Sequence, residues 1–274
     1  MGKVFTWPQV KARHVPGPNS FTVVLDRLRV VLAREPSVLG AGVCGSIVRG
    51  DSNRRSDIDC VVIFDANRRR EAYEVMQGLS VFARDHHVPL TFIQSDTRLM
   101  STRMHHFGPS FVEHMAFSMQ GGGLIKGRPL EMLAPSVSRQ AGVEEYLRFK
   151  MHYLQAHWAE YPAVGELDRV QFLQKSLEAP LHVARKTLSW YGPLSGDSKK
   201  YVLEQYRAQM PAKLGEALEK LVSTDRNYTA ELETQLEHPH EADYLAMLGC
   251  IEEQVPDVLD FVTNNLLHIP TSAR

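Results

Sequence analysis

The sequence contains few cysteines, lacks a long apolar run and carries almost no net charge. Its three cysteines (Cys44, Cys60 and Cys250) are too few for a disulfide scaffold, and two of them lie in apolar runs that are typical of strands. No stretch approaches the ~18 apolar residues that a membrane helix requires. The 31 lysines and arginines balance 32 aspartates and glutamates. This balance argues against a general nucleic-acid binder, whereas a local basic patch stays open.

The N-terminus lacks the apolar core of a secretory signal, because Trp7-Pro8-Gln9 and Lys11-Ala12-Arg13 interrupt it early. We therefore expect a cytoplasmic protein with reduced cysteines and no membrane association. The length of 274 residues, with 43% hydrophobic and 23% charged residues, is typical of a globular chain with two domains.

The first half of the chain alternates helical and strand-like patterns. Helical periodicity covers residues 21–34, 67–84 and 111–119, and short apolar runs typical of strands cover 38–44, 60–64 and 88–94. A short extended piece follows at Leu124-Ile125. This order predicts an N-terminal α/β domain, which we assign to residues 1–135.

The second half has helical periodicity almost throughout, which predicts a helical bundle at residues 136–274. Further helices are expected at residues 198–209, 211–222, 225–236 and 241–267. Pro180 and Pro256 fall inside helical patterns and predict kinks or breaks. A cluster of glycine and proline places the domain boundary near Pro135-Ser136.

The segment from Gly45 to Asp65 (GSIVRGDSNRRSDIDCVVIFD) carries the chemistry. A strand ends at Cys44, and the small side chains of Gly45 and Ser46 allow a ligand to approach the backbone. Residues from Ile47 onward can begin a helix, so this turn is a candidate phosphate site with a hydroxyl donor on Ser46.

Two acids open the next strand. A period of two places Asp57 and Asp59 on one face, where their charges repel each other unless a hard cation lies between them. Mg²⁺ accepts one or two carboxylates together with substrate phosphate oxygens. The pattern therefore predicts that Asp57 and Asp59 are metal ligands beside a phosphate-binding turn.

The Gly45-Ser46 turn, ten intervening residues and then Asp57-Ile58-Asp59 resemble the signature of the DNA polymerase β-type nucleotidyltransferase superfamily. The resemblance implies a nucleoside triphosphate, two Mg²⁺ ions and in-line transfer of a nucleotidyl group with release of pyrophosphate. By position, Asp57 and Asp59 would be catalytic metal ligands. The nucleotide contacts would be Gly45, Ser46, Arg55 and Ser56.

The sequence departs from that signature at the third carboxylate, which the superfamily carries on a later strand. Pro89 or Thr91, depending on register, occupies the expected position, and neither is acidic. Asp85, Asp96 and Glu144 are the candidate replacements. We assign Glu144 to catalysis, since Glu144 and Arg148 share a helical face; an ordinary surface ion pair is the alternative.

A looser resemblance covers Arg185–Tyr191 and Gly196–Val202, which are similar to the helical domain of aminoglycoside nucleotidyltransferases of the streptomycin/spectinomycin type. It implies that Arg185 and Lys199 contact the nucleotide, with solvated helix residues as the alternative.

The expected function is Mg²⁺-dependent transfer of a nucleotidyl group, with ATP or another nucleoside triphosphate as donor. The expected acceptor is a small molecule with a hydroxyl group, such as an aminoglycoside-like compound. A tRNA or protein acceptor stays open. The competing hypothesis is a regulatory protein that binds nucleotide without transferring it, because the third carboxylate is missing.

Overall fold

The computed structural model describes residues 2–102, 107–132 and 137–270. They fall into two compact units, of which the first comprises Met1–Gly2 and Val15–Ser138 and the second comprises Lys3–His14 and Arg139–Arg274. The predicted boundary at Pro135-Ser136 lies outside the described residues.

The N-terminal segment Lys3–His14 groups with the helical unit. The backbone N–H of Phe5 donates to the hydroxyl of Tyr228 at 3.1 Å, and the Phe5 carbonyl accepts from the Tyr244 hydroxyl at 2.5 Å. All three groups are buried, so these bonds attach the chain start to the second unit.

Helices account for most of the described chain. In chain order they are α1 (Trp7–Lys11), α2 (Ser20–Arg34), α3 (Ser46–Arg49), α4 (Arg69–Asp85), α5 (Thr97–Met100), α6 (Pro109–Ser118), α7 (Arg139–Glu160), α8 (Glu166–Tyr191), α9 (Lys199–Gln209), α10 (Ala212–Glu237), α11 (Glu241–Glu253) and α12 (Val255–His268). None of the helices within the described ranges has the length and hydropathy needed to cross a membrane.

The first unit is built on a mixed sheet. Its strands are β1 (Val38–Cys44), β2 (Ile58–Phe64), β3 (Leu90–Asp96) and β4 (Leu124–Lys126). Their spatial order is β3-β2-β1-β4, in which β2 and β3 are parallel and the other pairs are antiparallel. The sheet and the helical second half confirm the predicted combination of an α/β domain and a helical bundle.

The two faces of the sheet have different coverings. One face packs against α2 and α4, and alternate residues of β2, among them Ile58, Cys60 and Val62, lie in this core. On the other face, Val61 and Ile63 pack with α5, α6 and the preceding loop. Asp57 and Asp59 have the same parity as Val61 and Ile63, so they lie on this second face.

The helical unit follows the sequence prediction with one difference, since the single helix α10 replaces the two helices predicted at 211–222 and 225–236. Of the kink or break predicted at Pro180, the break does not occur, because α8 continues through this residue. The break predicted at Pro256 is confirmed, since α11 ends at Glu253 and Pro256 lies in the first turn of α12. A first-turn proline is tolerated because its missing N–H would have no partner within the helix.

Candidate functional site

Gly45 forms a sharp turn between β1 and α3. Its φ of 94° and ψ of -158° belong to a region that residues with a side chain rarely adopt. A Cβ added to Gly45 would meet no described atom within 4 Å, so the space beside this backbone is open. The Gly45 N–H donates to the hydroxyl of Ser118 in α6 at 3.3 Å. The hydrogen bond to Ser118 therefore holds the turn, and the space beside Gly45 is open to a ligand that approaches the backbone.

The helix after this turn is a single turn long. A helix begins directly after Gly45, as the sequence predicts, but α3 spans only Ser46–Arg49 and therefore has almost no macrodipole. Attraction for an anion would come from local N–H groups and the Ser46 hydroxyl.

Ser46 and Ser56 connect the two halves of the site. Their hydroxyls lie 3.0 Å apart, and the N–H of Asn53 donates to the Ser56 hydroxyl at 2.9 Å. The Asn53 carboxamide oxygen in turn accepts from the Arg55 N–H at 2.9 Å. Both serines are buried, so this network fixes the turn that leads directly into Asp57.

Arg55, which we expected to contact nucleotide, points into the protein. Its side chain is 1% exposed, and its Nη2 donates to the Gly2 carbonyl at 3.2 Å. This hydrogen bond attaches Gly2, near the N-terminus, to the turn at Asn53–Ser56.

The strand register brings the predicted metal ligands next to the Gly-Ser turn. Asp59 pairs with Cys44 across β1 and β2, and Cys44 directly precedes Gly45. Paired residues in neighbouring antiparallel strands have Cα atoms about 4.5–5.5 Å apart. Asp57 and Asp59 are both partly exposed, so their carboxylates are accessible at the end of the sheet where the turn lies.

The register also identifies the residue in the place of the third carboxylate. Asp59 pairs with Thr91 in the parallel β2–β3 ladder, and Thr91 is exposed. Within the described ranges, no group of three histidine, cysteine, aspartate or glutamate side chains could hold a metal. Asp57 and Asp59 provide two carboxylates beside this position, and Mg²⁺ can take its other ligands from substrate phosphates and water.

Asp96 and Asp85 do not replace the missing acid. Asp96 pairs with Phe64 at the opposite end of the same strands, where its carboxylate caps α5 by accepting from the N–H groups of Arg98 and Leu99, each at 3.0 Å, and pairs with Arg69. Asp85 ends α4, which covers the opposite face of the sheet.

Glu144 forms the ion pair that its spacing predicts. Its Oε1 accepts from Nε and Nη2 of Arg148 at 3.0 and 2.8 Å, one turn along α7. This is the geometry of an ordinary helix-surface pair, which was the alternative to a catalytic role.

The two segments of the looser resemblance meet within the second unit. Nη2 of Arg185 donates to the Asp197 carbonyl at 2.9 Å, two residues before Lys199 at the start of α9. The Nζ of Lys199 lies 3.5 Å from Oδ2 of Asp225. Both cations thus have local protein partners and lie in one region of the helical unit.

Sequence reasoning missed the contribution of Ser118. It holds the Gly45 N–H from 73 residues away and belongs to no motif. Its only sequence signal is a hydroxyl within a helical pattern.

Cys60 sits directly behind the two acids. Burial, with smaller contributions from Cys44 and Asp59, raises the pKa of the Cys60 thiol well above its ordinary value. It therefore stays protonated and is not a nucleophile at neutral pH.

The comparisons with known proteins agree with this geometry. No curated protein matches the sequence. Residues 25–103 match the family model for a nucleotidyltransferase domain, a range that contains the Gly-Ser turn, both aspartates and Thr91. Residues 25–103 of this chain are therefore similar to nucleotidyltransferase domains, in agreement with the resemblance to the DNA polymerase β-type superfamily that the Gly-Ser turn and Asp57-Ile58-Asp59 indicate.

Proposed function

We propose that this protein is a Mg²⁺-dependent nucleotidyltransferase that moves a nucleotidyl group from a nucleoside triphosphate, with ATP as the first candidate, to a hydroxyl acceptor and releases pyrophosphate. The observation that carries the proposal is the pairing of Asp59 with Cys44, next to the open Gly45 turn. It supports one site in which two carboxylates and a phosphate-binding turn act together.

Each residue of this site has a distinct task in the proposal. Asp57 and Asp59 would hold two Mg²⁺ ions, which supply charge neutralisation at the transferred phosphate. Gly45 would let the triphosphate approach the backbone, and Ser46 would donate its hydroxyl to a phosphate oxygen. Transfer of this kind depends on positioning and electrostatics, so a nucleophilic protein side chain is not needed.

The acceptor is proposed to be a small molecule with a hydroxyl group. The meeting of Arg185 with the Asp197–Lys199 segment supports this choice, because it joins the two segments that resemble aminoglycoside nucleotidyltransferases. In the same proposal, Arg185 and Lys199 contact the nucleotide. Buried Cys44 and Cys60 in adjacent strands support a reducing, cytoplasmic location.

A regulatory protein that binds nucleotide without transferring it is the second candidate. It is favoured by Thr91, which stands beside Asp59 where the superfamily has an acid.

The deciding experiment uses nucleoside triphosphates labelled at the α-phosphate, Mg²⁺ and pools of small molecules, tRNA and protein. We expect label in a small-molecule product, and a decrease of about a hundredfold or more in Asp57→Asn and Asp59→Asn, because metal charge contributes several kcal/mol to such transfers. Asp85→Asn, an exposed acid on the far side of the sheet, is the control. Mg²⁺-dependent nucleotide binding without pyrophosphate release would support the regulatory protein. Equal transfer by all three variants would refute the site.

A further inference from the structure

The helical unit carries an open groove between the first turns of α10 and helix α12. The groove has a volume of about 560 Å³ and lies between residues 211–221 on one side and residues 257–268 on the other. We call it the α10–α12 groove. The proposed nucleotidyl transfer assigns no task to any of the residues that line it.

Apolar side chains form the floor and part of the rim of the groove. Leu214 and Leu221 of α10 and Phe261 of α12 line it and are otherwise buried in the core of the helical unit. Leu267, which also lines the groove, is 77% exposed, and no other large apolar side chain among the described residues is as exposed. Association with a partner would remove this apolar surface from water.

The two walls of the groove carry opposite charges. Helix α10 contributes Lys213 and Lys220, and α12 contributes Asp257 and Asp260. Lys220 and Asp257 pair with each other, with Nζ 2.6 Å from Oδ2, and so join the two walls. Lys213 and Asp260 are exposed, and neither forms an ion pair within the described part of the chain. The groove therefore offers one charge of each sign to a partner.

A patch with these properties is complementary to itself. In a contact around a twofold axis the same patch of two copies meets, so a lysine of each copy can face an aspartate of the other. A partner with charges of a single sign would be repelled by one wall of the groove, whereas a second copy presents both signs. The charge pattern therefore favours a second copy of this chain over a strongly acidic or basic partner.

We infer that the α10–α12 groove is the interface of a homodimer, in which Lys213 of each copy pairs with Asp260 of the other and Leu267 is covered by the partner. Helix α12 has 14 residues, so this face is about 21 Å long at about 1.5 Å per residue. Two packed helices make it about 20 Å wide. These dimensions are typical of the small interfaces of weak, reversible complexes.

Sedimentation equilibrium of the full chain, over a range of protein concentrations, measures this association. We expect a monomer–dimer equilibrium that Leu267→Gln weakens about a hundredfold, because each dimer loses the burial of two leucine side chains. Leu167→Gln is the matched control, since Leu167 is 64% exposed, lies in the first turn of α8 and does not line the groove. It should leave the dissociation constant unchanged. Because both leucines are exposed, neither substitution should lower the unfolding temperature of the monomer.

A charge exchange tests the pairing between copies. Lys213→Glu and Asp260→Lys each place like charges across the interface, so at low salt each variant alone should dimerise more weakly than the unchanged chain. An equal mixture of the two variants should form dimers again, since every pair then joins opposite charges. Pairing of these residues within one chain would not give this recovery.

A chain that sediments as a monomer at concentrations well above the micromolar range would overturn the inference. A dimer that Leu267→Gln leaves unchanged, or a mixture of the two charge variants that dimerises no better than either alone, would overturn it as well. These measurements need neither nucleotide nor Mg²⁺, so the inference stands or fails independently of the proposed function.

Discussion

Thr91 lies beside Asp59 in the parallel ladder of β2 and β3, on the face that carries the predicted metal ligands. A hydroxyl therefore stands where the superfamily signature has a carboxylate. The other parts of the signature are present, because Asp59 pairs with Cys44 at the strand end that leads into Gly45. In the superfamily the third acid ligates a metal ion or acts as base toward the acceptor hydroxyl, so the threonine at this position bears on both tasks.

Thr91→Asp should restore a site with three acids. Without metal, the added charge repels Asp59, and we expect unfolding to become easier by about 0.5–1 kcal/mol. With Mg²⁺ the repulsion is relieved, so the variant should gain more stability from the ion than the unchanged protein does. Urea unfolding with and without Mg²⁺ measures both effects.

Thr91→Asn is the control for this substitution, because it has the size of aspartate without the charge. It should show neither the loss of stability without metal nor the additional gain with Mg²⁺. If Mg²⁺ stabilises the Asp and Asn variants equally, Thr91 does not face the metal site.

Gly45→Ala tests the open turn. A φ of 94° disfavours any residue with a Cβ, so we expect a loss of about 1–2 kcal/mol in unfolding free energy, with weaker nucleotide binding because the methyl group occupies the ligand's path. Thermal unfolding and nucleotide titration measure the two effects. Gly78→Ala, within α4 and without close neighbours, should instead stabilise the protein by about 0.5–1 kcal/mol. Equal effects of the two substitutions would contradict the strained turn.

Local patterns predicted the strands of the first unit well. The run at 38–44 coincides with β1, because its apolar and glycine residues are bounded by Pro36 and by the Gly45 turn. The carboxylate pair also followed from a period of two, since that alternation is a property of any strand. These features depend only on neighbours in the chain.

The pairing of Asp59 with a residue of β3 was not predictable from the sequence, because β3 begins two residues after the start of the apolar run at 88–94. The predicted strand started at Val88, but the chain reverses at His87 with a φ of 58°, and the Val88 N–H closes α4 by donating to Ala83 at 2.9 Å. This helix end usually carries glycine, so a histidine there gives no signal. The contacts of Ser118 and Gly2 with the site depend on distant chain segments and have no local pattern either.

Asp96 should make the first unit sensitive to acid. Burial alone would raise the pKa of Asp96, but the N–H of Leu99, the Arg69 side chain and the N–H of Arg98 together hold it below its ordinary value of 3.8. A carboxyl group with a lower pKa in the folded state stabilises the fold above its unfolded pKa, and this contribution disappears as the pH falls through the folded pKa. Unfolding free energy should therefore decrease as the pH falls below about 4.

Asp96→Asn keeps an oxygen that can cap α5 and removes the titration. Its stability should vary less between about pH 4 and pH 2 than that of the unchanged protein, as measured by urea unfolding at each pH. Asp85→Asn, which removes an exposed acid, should leave the pH profile as it was. An Asp96→Asn profile as steep as the original would show that other acids cause the acid sensitivity.

Gly2→Ala should disturb the candidate site indirectly, because Gly2 packs against the side chain of Arg55. A Cβ on Gly2 would lie 2.7 Å from Cζ and 2.8 Å from Nε and Nη2 of Arg55, and this guanidinium is buried and cannot simply swing into solvent. We expect a loss of about 1–3 kcal/mol in unfolding free energy, the usual cost of overpacking. Because Arg55 adjoins Ser56 and Asp57, nucleotide affinity should decrease as well. Gly17→Ala is the control, since its Cβ would meet Ser20 Oγ at an ordinary 3.4 Å. Equal stability of the two variants, measured by urea unfolding, would show that the chain start does not support the turn.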